Sequence, residues 1–220
     1  VTIIYDDKEI HFHDSPPFLS DIIFENFISG VYNDLDIEGR TVIDIGAGVG
    51  DTTILFVLRG ARRVIALEPY PSLYKKALIN VKINGVEDRV VLVNAGLGSF
   101  DDEICTEIRD VNGYYLFKPS SKCDIKVKMY TLSSLIKEFR IEKGSILKMD
   151  CEGCEYDALL SAKPEDLKLF GQIIIEYHND YRELRKALEN SRFKVTIKPI
   201  RSITQSIEKQ GYIIATHKNL

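Results

Sequence analysis

Thr41-Val42-Ile43-Asp44-Ile45-Gly46-Ala47-Gly48-Val49-Gly50 begins as a β-branched, apolar run and breaks into glycines at alternate positions. Asp51-Thr52-Thr53 and the apolar stretch Ile54-Leu55-Phe56-Val57-Leu58 follow, so the pattern predicts strand, tight turn and helix in succession. That order is the first half of a nucleotide-binding βαβ unit. A turn of this kind must bend sharply and let a ligand reach bare backbone, and a Cβ at these positions would stand in the way.

The residues around the turn separate the ligand classes. A phosphate-cradling P-loop requires Lys after its last glycine, but Gly50 is followed by Asp51. A dinucleotide fingerprint places its third glycine where Asp51 stands, and an acid there would repel a pyrophosphate, so NAD or FAD fits poorly. A phosphate-free ligand with positive charge accounts for both Asp44 and Asp51. S-adenosylmethionine, with its α-ammonium and sulfonium, meets that description. The second half of the unit agrees: Val64-Ile65-Ala66-Leu67-Glu68-Pro69 is an apolar strand ending in an acid about 20 residues beyond the glycines, where a carboxylate accepts both ribose hydroxyls. Pro69 then ends the strand.

The whole chain, 220 residues with 45% hydrophobic content, suits one domain with a full core. It has no apolar run long enough to span a bilayer and no signal-peptide pattern at its start, so the expectation is a soluble, cytoplasmic protein. A net charge of -4 gives no electrostatic reason to expect nucleic acid as a partner. The four cysteines, Cys105, Cys123, Cys151 and Cys154, are too few for a disulfide scaffold at this length. Cys151-Glu152-Gly153-Cys154 has redox or zinc-knuckle spacing, but no second pair completes a tetrahedral site, and the reading is packing.

Residues 1–40 read as a hairpin, a stop at Pro16-Pro17 and a helix, together a small N-terminal cap over the pocket. Residues 41–220 read as the cofactor-binding domain. From Thr41 strands alternate with helices, which predicts an α/β fold with a mainly parallel sheet covered on both faces. Between 95 and 130 the segments become short and mixed, with candidate strands at 103–107, 114–117 and 126–129, as expected of antiparallel edge strands or an insertion. Alternation then resumes to the end of the chain.

Two later strands carry the anomalies that suggest chemistry. Ile146-Leu147-Lys148-Met149-Asp150 should be central, yet it places two charges on one side, and a buried charge is costly unless paired or used. A structural Lys148–Asp150 ion pair is one explanation. Glu152 and Glu155 follow, the latter equally readable as a first-turn acid that favours the helix dipole. Ile173-Ile174-Ile175-Glu176-Tyr177-His178 repeats the pattern. Ligands in open α/β sheets bind beyond the carboxyl ends of the strands, so Asp44, Glu68, Asn94, Asp150 and Glu176 should converge on one edge.

Taken together, 42–52 (Val-Ile-Asp-Ile-Gly-Ala-Gly-Val-Gly-Asp-Thr), Ala66-Leu67-Glu68-Pro69, Thr131-Leu132-Ser133-Ser134-Leu135, 147–155 (Leu-Lys-Met-Asp-Cys-Glu-Gly-Cys-Glu) and Ile175-Glu176-Tyr177-His178 resemble the FkbM family of S-adenosylmethionine-dependent methyltransferases. The resemblance runs from about residue 40 to 180, and its Lys-x-Asp-x-Glu-Gly-x-Glu block is the most specific part. It implies a doubly wound, Rossmann-like class I methyltransferase with a seven-stranded sheet, the last strand antiparallel, and O-methylation of a small-molecule or sugar-like acceptor. It places the cofactor on Asp44, Gly46, Gly48 and Glu68, and the acceptor beside Asp150 and Glu152. Gly50 and Asn94 complete the expected cofactor set. Asp150, Glu152 or His178 would take the acceptor's proton. No metal ion is required. Two alternatives stand beside this reading: an RNA methyltransferase, for which the basic run Arg192, Lys194, Lys198 and Arg201 speaks, and a non-catalytic cofactor-binding subunit.

Overall fold

Apolar alternation decides which face each central strand presents. The computed structural model describes residues 1–13, 19–106, 110–111, 114–115, 123–200 and 209–218. The expected stop at Pro16-Pro17, the residues Glu107 and Phe117 of two expected strands, and Arg201 of the basic run lie outside them. Among the described residues the main sheet has seven strands: β3 (Thr41–Ile45), β4 (Arg63–Leu67), β5 (Val90–Val93), β11 (Ser145–Met149), β12 (Phe170–Tyr177), β13 (Phe193–Pro199) and β14 (Gly211–His217). Their order is β13-β14-β12-β11-β3-β4-β5, parallel from β12 to β5, with β14 antiparallel to both of its neighbours.

Ile43, Ile45, Ile65, Leu67, Leu147 and Met149 point into one apolar cluster, which Leu135, Leu159, Leu184 and Leu188 fill from α4 (Leu132–Phe139), α5 (Cys154–Ser161) and α7 (Arg182–Asn190). Val42, Val64, Ala66 and Ile146 point the other way, into a cluster with Ile54, Leu55, Phe56 and Val57 of α2 (Asp51–Leu58) and Val81 of α3 (Pro71–Ile83). Strands buried on both faces are apolar throughout, as these are.

The N-terminal hairpin, β1 (Thr2–Tyr5) with β2 (Lys8–His11), joins the second cluster through Ile10. Asn80 of α3 and Asn84, just past its end, hold it by accepting the N–H groups of His13 and His11 at 2.7 and 2.9 Å. α1 (Leu19–Ile23) runs directly into a π-helical turn, Phe24–Ile28. The mixed region is a separate sheet of β6 (Ala95–Leu97), β7 (Glu103–Thr106) and β10 (Ile125–Tyr130), with β10 parallel to β6 and antiparallel to β7. Two short strands, β8 (Asp110–Val111) and β9 (Tyr114–Tyr115), pair with each other, and a short helix, α6 (Pro164–Leu167), precedes β12.

The packing role read for Cys151 and Cys154 is corrected here, since the two are disulfide-bonded to each other; Cys105 is likewise bonded to Cys123. Counting cysteines tests for a framework, whereas Cys105 meets Cys123 because β7 and β10 pair antiparallel.

The ion pair read between Lys148 and Asp150 is present at 4.0 Å, but Lys148 has a nearer partner. In the parallel pairing of β11 with β3, Lys148 lies opposite Asp44, and its Nζ stands 3.0 Å from Asp44 Oδ1 and 4.0 Å from Asp150 Oδ2. Lys148 is 1% exposed and Asp44 0%. Burial works against the ammonium, but Asp44 first and then Asp150 outweigh it and hold it charged. Nζ also donates to the Gly46 carbonyl at 2.8 Å and the Ile45 carbonyl at 3.3 Å. Thr52 and Thr53 of α2 each donate to Asp44 Oδ2 at 2.7 Å. Lys148→Met, which leaves the Asp44 carboxylate buried without its counter-ion, should lower stability by about 3–5 kcal/mol in urea unfolding. An unchanged unfolding midpoint would show that the pair does not hold this part of the fold.

Candidate active site

At the carboxyl ends of β3, β4, β11 and β12 lies a cavity of about 250 Å³. Its floor is the glycine turn. Gly46 and Ala47 donate to the Leu67 carbonyl at 3.0 Å each, tying the turn to the end of β4. Gly46 sits at φ 77, and a Cβ on it would come 1.8 Å from the carbonyl oxygen of Asp150, so only glycine lets the turn lie against the end of β11. Gly48 also faces the cavity, at φ 53. Gly50 serves another purpose: at φ 86 it starts α2 and lies against Ala77, its added Cβ 3.3 Å from the Ala77 backbone, where α2 and α3 approach.

Glu68 is buried at the end of β4 and faces the cavity. Its oxygens accept the N–H groups of Gly48 and Tyr70, each at 2.8 Å. Burial nevertheless pushes the carboxyl up to about 7. Asn94 lies outside the lining: its amide donates to the carbonyls of Glu68 and Pro69 at 2.8 and 3.0 Å and braces the turn that presents Glu68. Asp44 is beneath the floor rather than in it, its charge met by Lys148. The acid that faces the cavity from this turn is Asp51, buried at the start of α2, hydrogen-bonded by the Asn26 amide and pushed by burial to about 7.

The other wall brings together the residues expected on the acceptor side. A carboxylate oxygen of Asp150, one of Glu152 and a ring nitrogen of His178 all lie within 4.8 Å of one another. His178 is held from behind by Glu155, 0% exposed, whose Oε1 is 3.0 Å from Nδ1 and whose Oε2 accepts the Gly153 N–H at 2.9 Å. Nε2 faces Glu176 at 3.6 Å and Glu152 at 3.7 Å. Burial alone would lower the His178 pKa, but the Glu155 hydrogen bond, then Glu152 and Glu176, raise it to about 9. The three acids thus favour the protonated ring in the ligand-free cavity. Glu176 accepts from Gln210 at 2.7 Å and is itself pushed up to about 8 by burial, Asp150 and Glu25.

Glu25 and Asn26 escape motif reading, whereas Glu155 closes the Lys-x-Asp-x-Glu-Gly-x-Glu block without the block showing what it touches. Glu155 is equally readable as a helix-start acid, and residues 24–28 carry no motif; their π-helical turn, a local form frequent at functional sites, turns Glu25 and Asn26 to the cavity. Glu25 also accepts the Tyr212 hydroxyl of β14, and burial raises its carboxyl.

The donor set matches S-adenosylmethionine. Among the described lining residues the basic side chains are Lys148, already engaged by Asp44, and His178, clamped by Glu155, so neither is placed to hold phosphates. Glu68, Asp51 and Asn26 suit ribose hydroxyls and an ammonium, and Ile22, Tyr70 and Leu73 offer apolar surface to a ring.

The fold is that of a class I S-adenosylmethionine-dependent methyltransferase domain. The chain belongs to the FkbM methyltransferase family: the family described as Methyltransferase FkbM domain matches residues 44–213. It is 30% identical over 120 residues to protein arginine N-methyltransferase 6 of Danio rerio, covering 53% of this chain and 33% of that protein. It is 39% identical over 66 residues to ribosomal protein L11 methyltransferase of Anoxybacillus flavithermus, covering 30% and 21%. The chain thus matches a third or less of these relatives' length. The crystal structure of methyltransferase FkbM from Methylobacillus flagellatus shares its fold at TM-score 0.57 and 13% identity, over 86% of this chain and 47% of that one. TrmK of M. capricolum, in complex with S-adenosylhomocysteine, shares it at 0.53 and 12%, over 82% and 62%.

Two outcomes follow. Glu68→Ala should weaken S-adenosylmethionine and S-adenosylhomocysteine binding roughly tenfold to a hundredfold in calorimetry, the loss of a charge-assisted hydrogen bond of about 1.5–3 kcal/mol. Asp51, Glu68, Glu176 and His178 all bind their protons more tightly in the fold than in the unfolded chain, with values of about 7, 7, 8 and 9. Their contribution is full at low pH and is lost as pH rises through those values, by about 1.4 kcal/mol per pH unit for each differential proton. Melting of the ligand-free protein should therefore move to lower temperature from about pH 5 to pH 9, and a rise would contradict the assignment.

Proposed function

We propose that this domain transfers the methyl group of S-adenosylmethionine to a hydroxyl oxygen of an uncharged, sugar-like small molecule. The observation that carries the reading is the meeting of Asp150, Glu152 and His178 within 4.8 Å on the cavity wall. When bound, the cofactor supplies a methyl on a sulfonium, already a good leaving arrangement, so alignment of the two substrates provides most of the acceleration. Asp150 orients the acceptor hydroxyl and takes its proton; its side chain is 31% exposed and so within reach of a molecule entering the cavity. Glu152 and the His178 imidazolium fix the acceptor's neighbouring polar groups. Asp44, Gly46, Gly48 and Glu68 form and face the cofactor side, with Gly50 and Asn94 supporting the two turns. Residues 1–40 contribute the cap, through Glu25 and Asn26.

Asp150 and Glu152 face the cavity as carboxylates and oppose a phosphate backbone, which speaks against RNA as acceptor. Lys198 of the basic run is paired with Asp34 at 2.5 Å. The same carboxylates favour a second reading, a cationic protein side chain, the kind of acceptor named for the Danio rerio relative. Following labelled methyl from the cofactor into small molecules, RNA and protein separates the three, and no transfer to any pool would favour a non-catalytic subunit.

Asp150→Asn should keep the fold and the affinity for S-adenosylhomocysteine while turnover falls by a factor of about 10² or more. Since Lys148 keeps Asp44 as its nearer partner, the melting temperature should hardly move. Wild-type turnover in a stable variant would remove Asp150 from the site.

A further inference from the structure

The Cys151–Cys154 disulfide has no part in methyl transfer as derived above, yet it lies inside the acceptor wall. It closes a ring over Cys151, Glu152, Gly153 and Cys154, immediately after Asp150. Within the ring Glu152 is held at φ 57 and Gly153 at φ 116, and the first is a conformation that L side chains seldom adopt. Both cysteines are half-buried, and Cys151 lines the cavity. Cys151 Sγ stands 3.2 Å from Glu155 Oε2, the oxygen that accepts the Gly153 N–H, while the other oxygen of that carboxylate holds His178. In the disulfide this sulfur has no proton to give.

We propose that Cys151–Cys154 is a thiol–disulfide exchange site, taking a dithiol reductant as its co-reactant, whose redox state sets the place of Glu152 and the charge that Glu155 presents to His178. The inference rests on the reading of Asp150, Glu152 and His178 as the acceptor side. A thiolate of the reductant attacks Cys151 Sγ, the sulfur on the cavity side, and forms a mixed disulfide. Cys154 leaves as a thiolate in the first turn of α5, where the helix N–H groups stabilise it. The second thiol of the reductant then displaces Cys151. Two electrons and two protons pass to the cysteine pair, and the reductant ends as a disulfide.

Reduction has two consequences for the wall. The Cys151 S–H now donates to Glu155 Oε2, drawing on the carboxylate that holds His178. Glu152, released from the ring, relaxes to negative φ and moves away from Nε2. Both changes withdraw negative charge from the His178 ring, leaving Asp150 and Glu176 as the other carboxylates that face it.

The test uses the intact protein with and without dithiothreitol. Thiol alkylation is read by mass, the His178 ring is titrated by NMR, and S-adenosylhomocysteine affinity is measured on the same samples. Without reductant, Cys151 and Cys154 should resist alkylation; after it, both should react. The His178 midpoint should fall from about 9 toward the ordinary histidine range on reduction. The Cys151→Ser, Cys154→Ser double variant should titrate like the reduced protein whether or not reductant is present. The Cys105→Ser, Cys123→Ser variant should keep the wild-type response, which excludes the other disulfide as its source. A wild-type midpoint that reduction leaves unchanged, or cysteines that alkylate without reductant, overturns the proposal. Absence of S-adenosylhomocysteine binding in untreated protein counts instead against the methyltransferase site itself.

Discussion

Lys148 carries an ammonium into the middle of a sheet whose neighbouring side chains are Ile, Val, Leu and Met, and burying such a charge costs several kcal/mol unless its geometry is met on every side. Here Asp44 stands opposite it on the adjacent strand, two carbonyls of the glycine turn accept its remaining protons, and two threonines of α2 complete the carboxylate. The consequence is mechanical as much as electrostatic. β3, β11 and the start of α2 become one edge, and the turn after β3 is pinned where it must be for Gly48 to meet Glu68 from β4. Asp150 continues from β11 and shares that edge, its backbone N–H donating to Ile45 at 3.1 Å.

Once that edge exists, the rest of the site is a matter of where acids are exposed to one another. Asp51, Glu68, Glu25 and Glu176 are all raised by burial, so the ligand-free cavity holds protons that a cationic or hydroxyl-rich ligand can replace with its own hydrogen bonds. Opposite them, His178 is the one imidazole in the described lining, and four acids govern its charge: Glu155, Glu152, Glu176 and Asp150. A site built this way favours positive or neutral ligands over phosphates, in keeping with the absence of Lys after Gly50 and the presence of Asp51 there.

Much of this was legible beforehand. Alternating strand and helix patterns, the glycine turn and the acid ending β4 are local signals, because strand periodicity, turn chemistry and a strand-ending proline each act over a few residues. They specify the doubly wound core and place Gly46, Gly48 and Glu68 at its edge. The lysine-and-acid block at 147–155 is likewise local, and its Asp150 and Glu152 do face the cavity. No helix among the described residues is long and apolar enough to cross a membrane.

What the chain alone could not decide concerns partners from distant segments. Lys148 could be paired on paper with Asp150 two residues away; only the register of β11 on β3 brings Asp44 nearer, because parallel strands set side by side residues about 100 positions apart. The contacts of Asn94 and Gly50 were out of view for the same reason, since what they touch follows β4 or belongs to α3. Glu155 was equally readable as a helix-start acid, and it is the end of β12 that brings His178 to it, while Cys105 meets Cys123 through antiparallel pairing. The sequence by itself determined the elements, the turn and the edge on which ligands must bind, for these follow from periodicity and local backbone chemistry. Tertiary structure decided which charges neutralise one another and which remain for the ligand, because electrostatic pairing depends on distance through space and not along the chain.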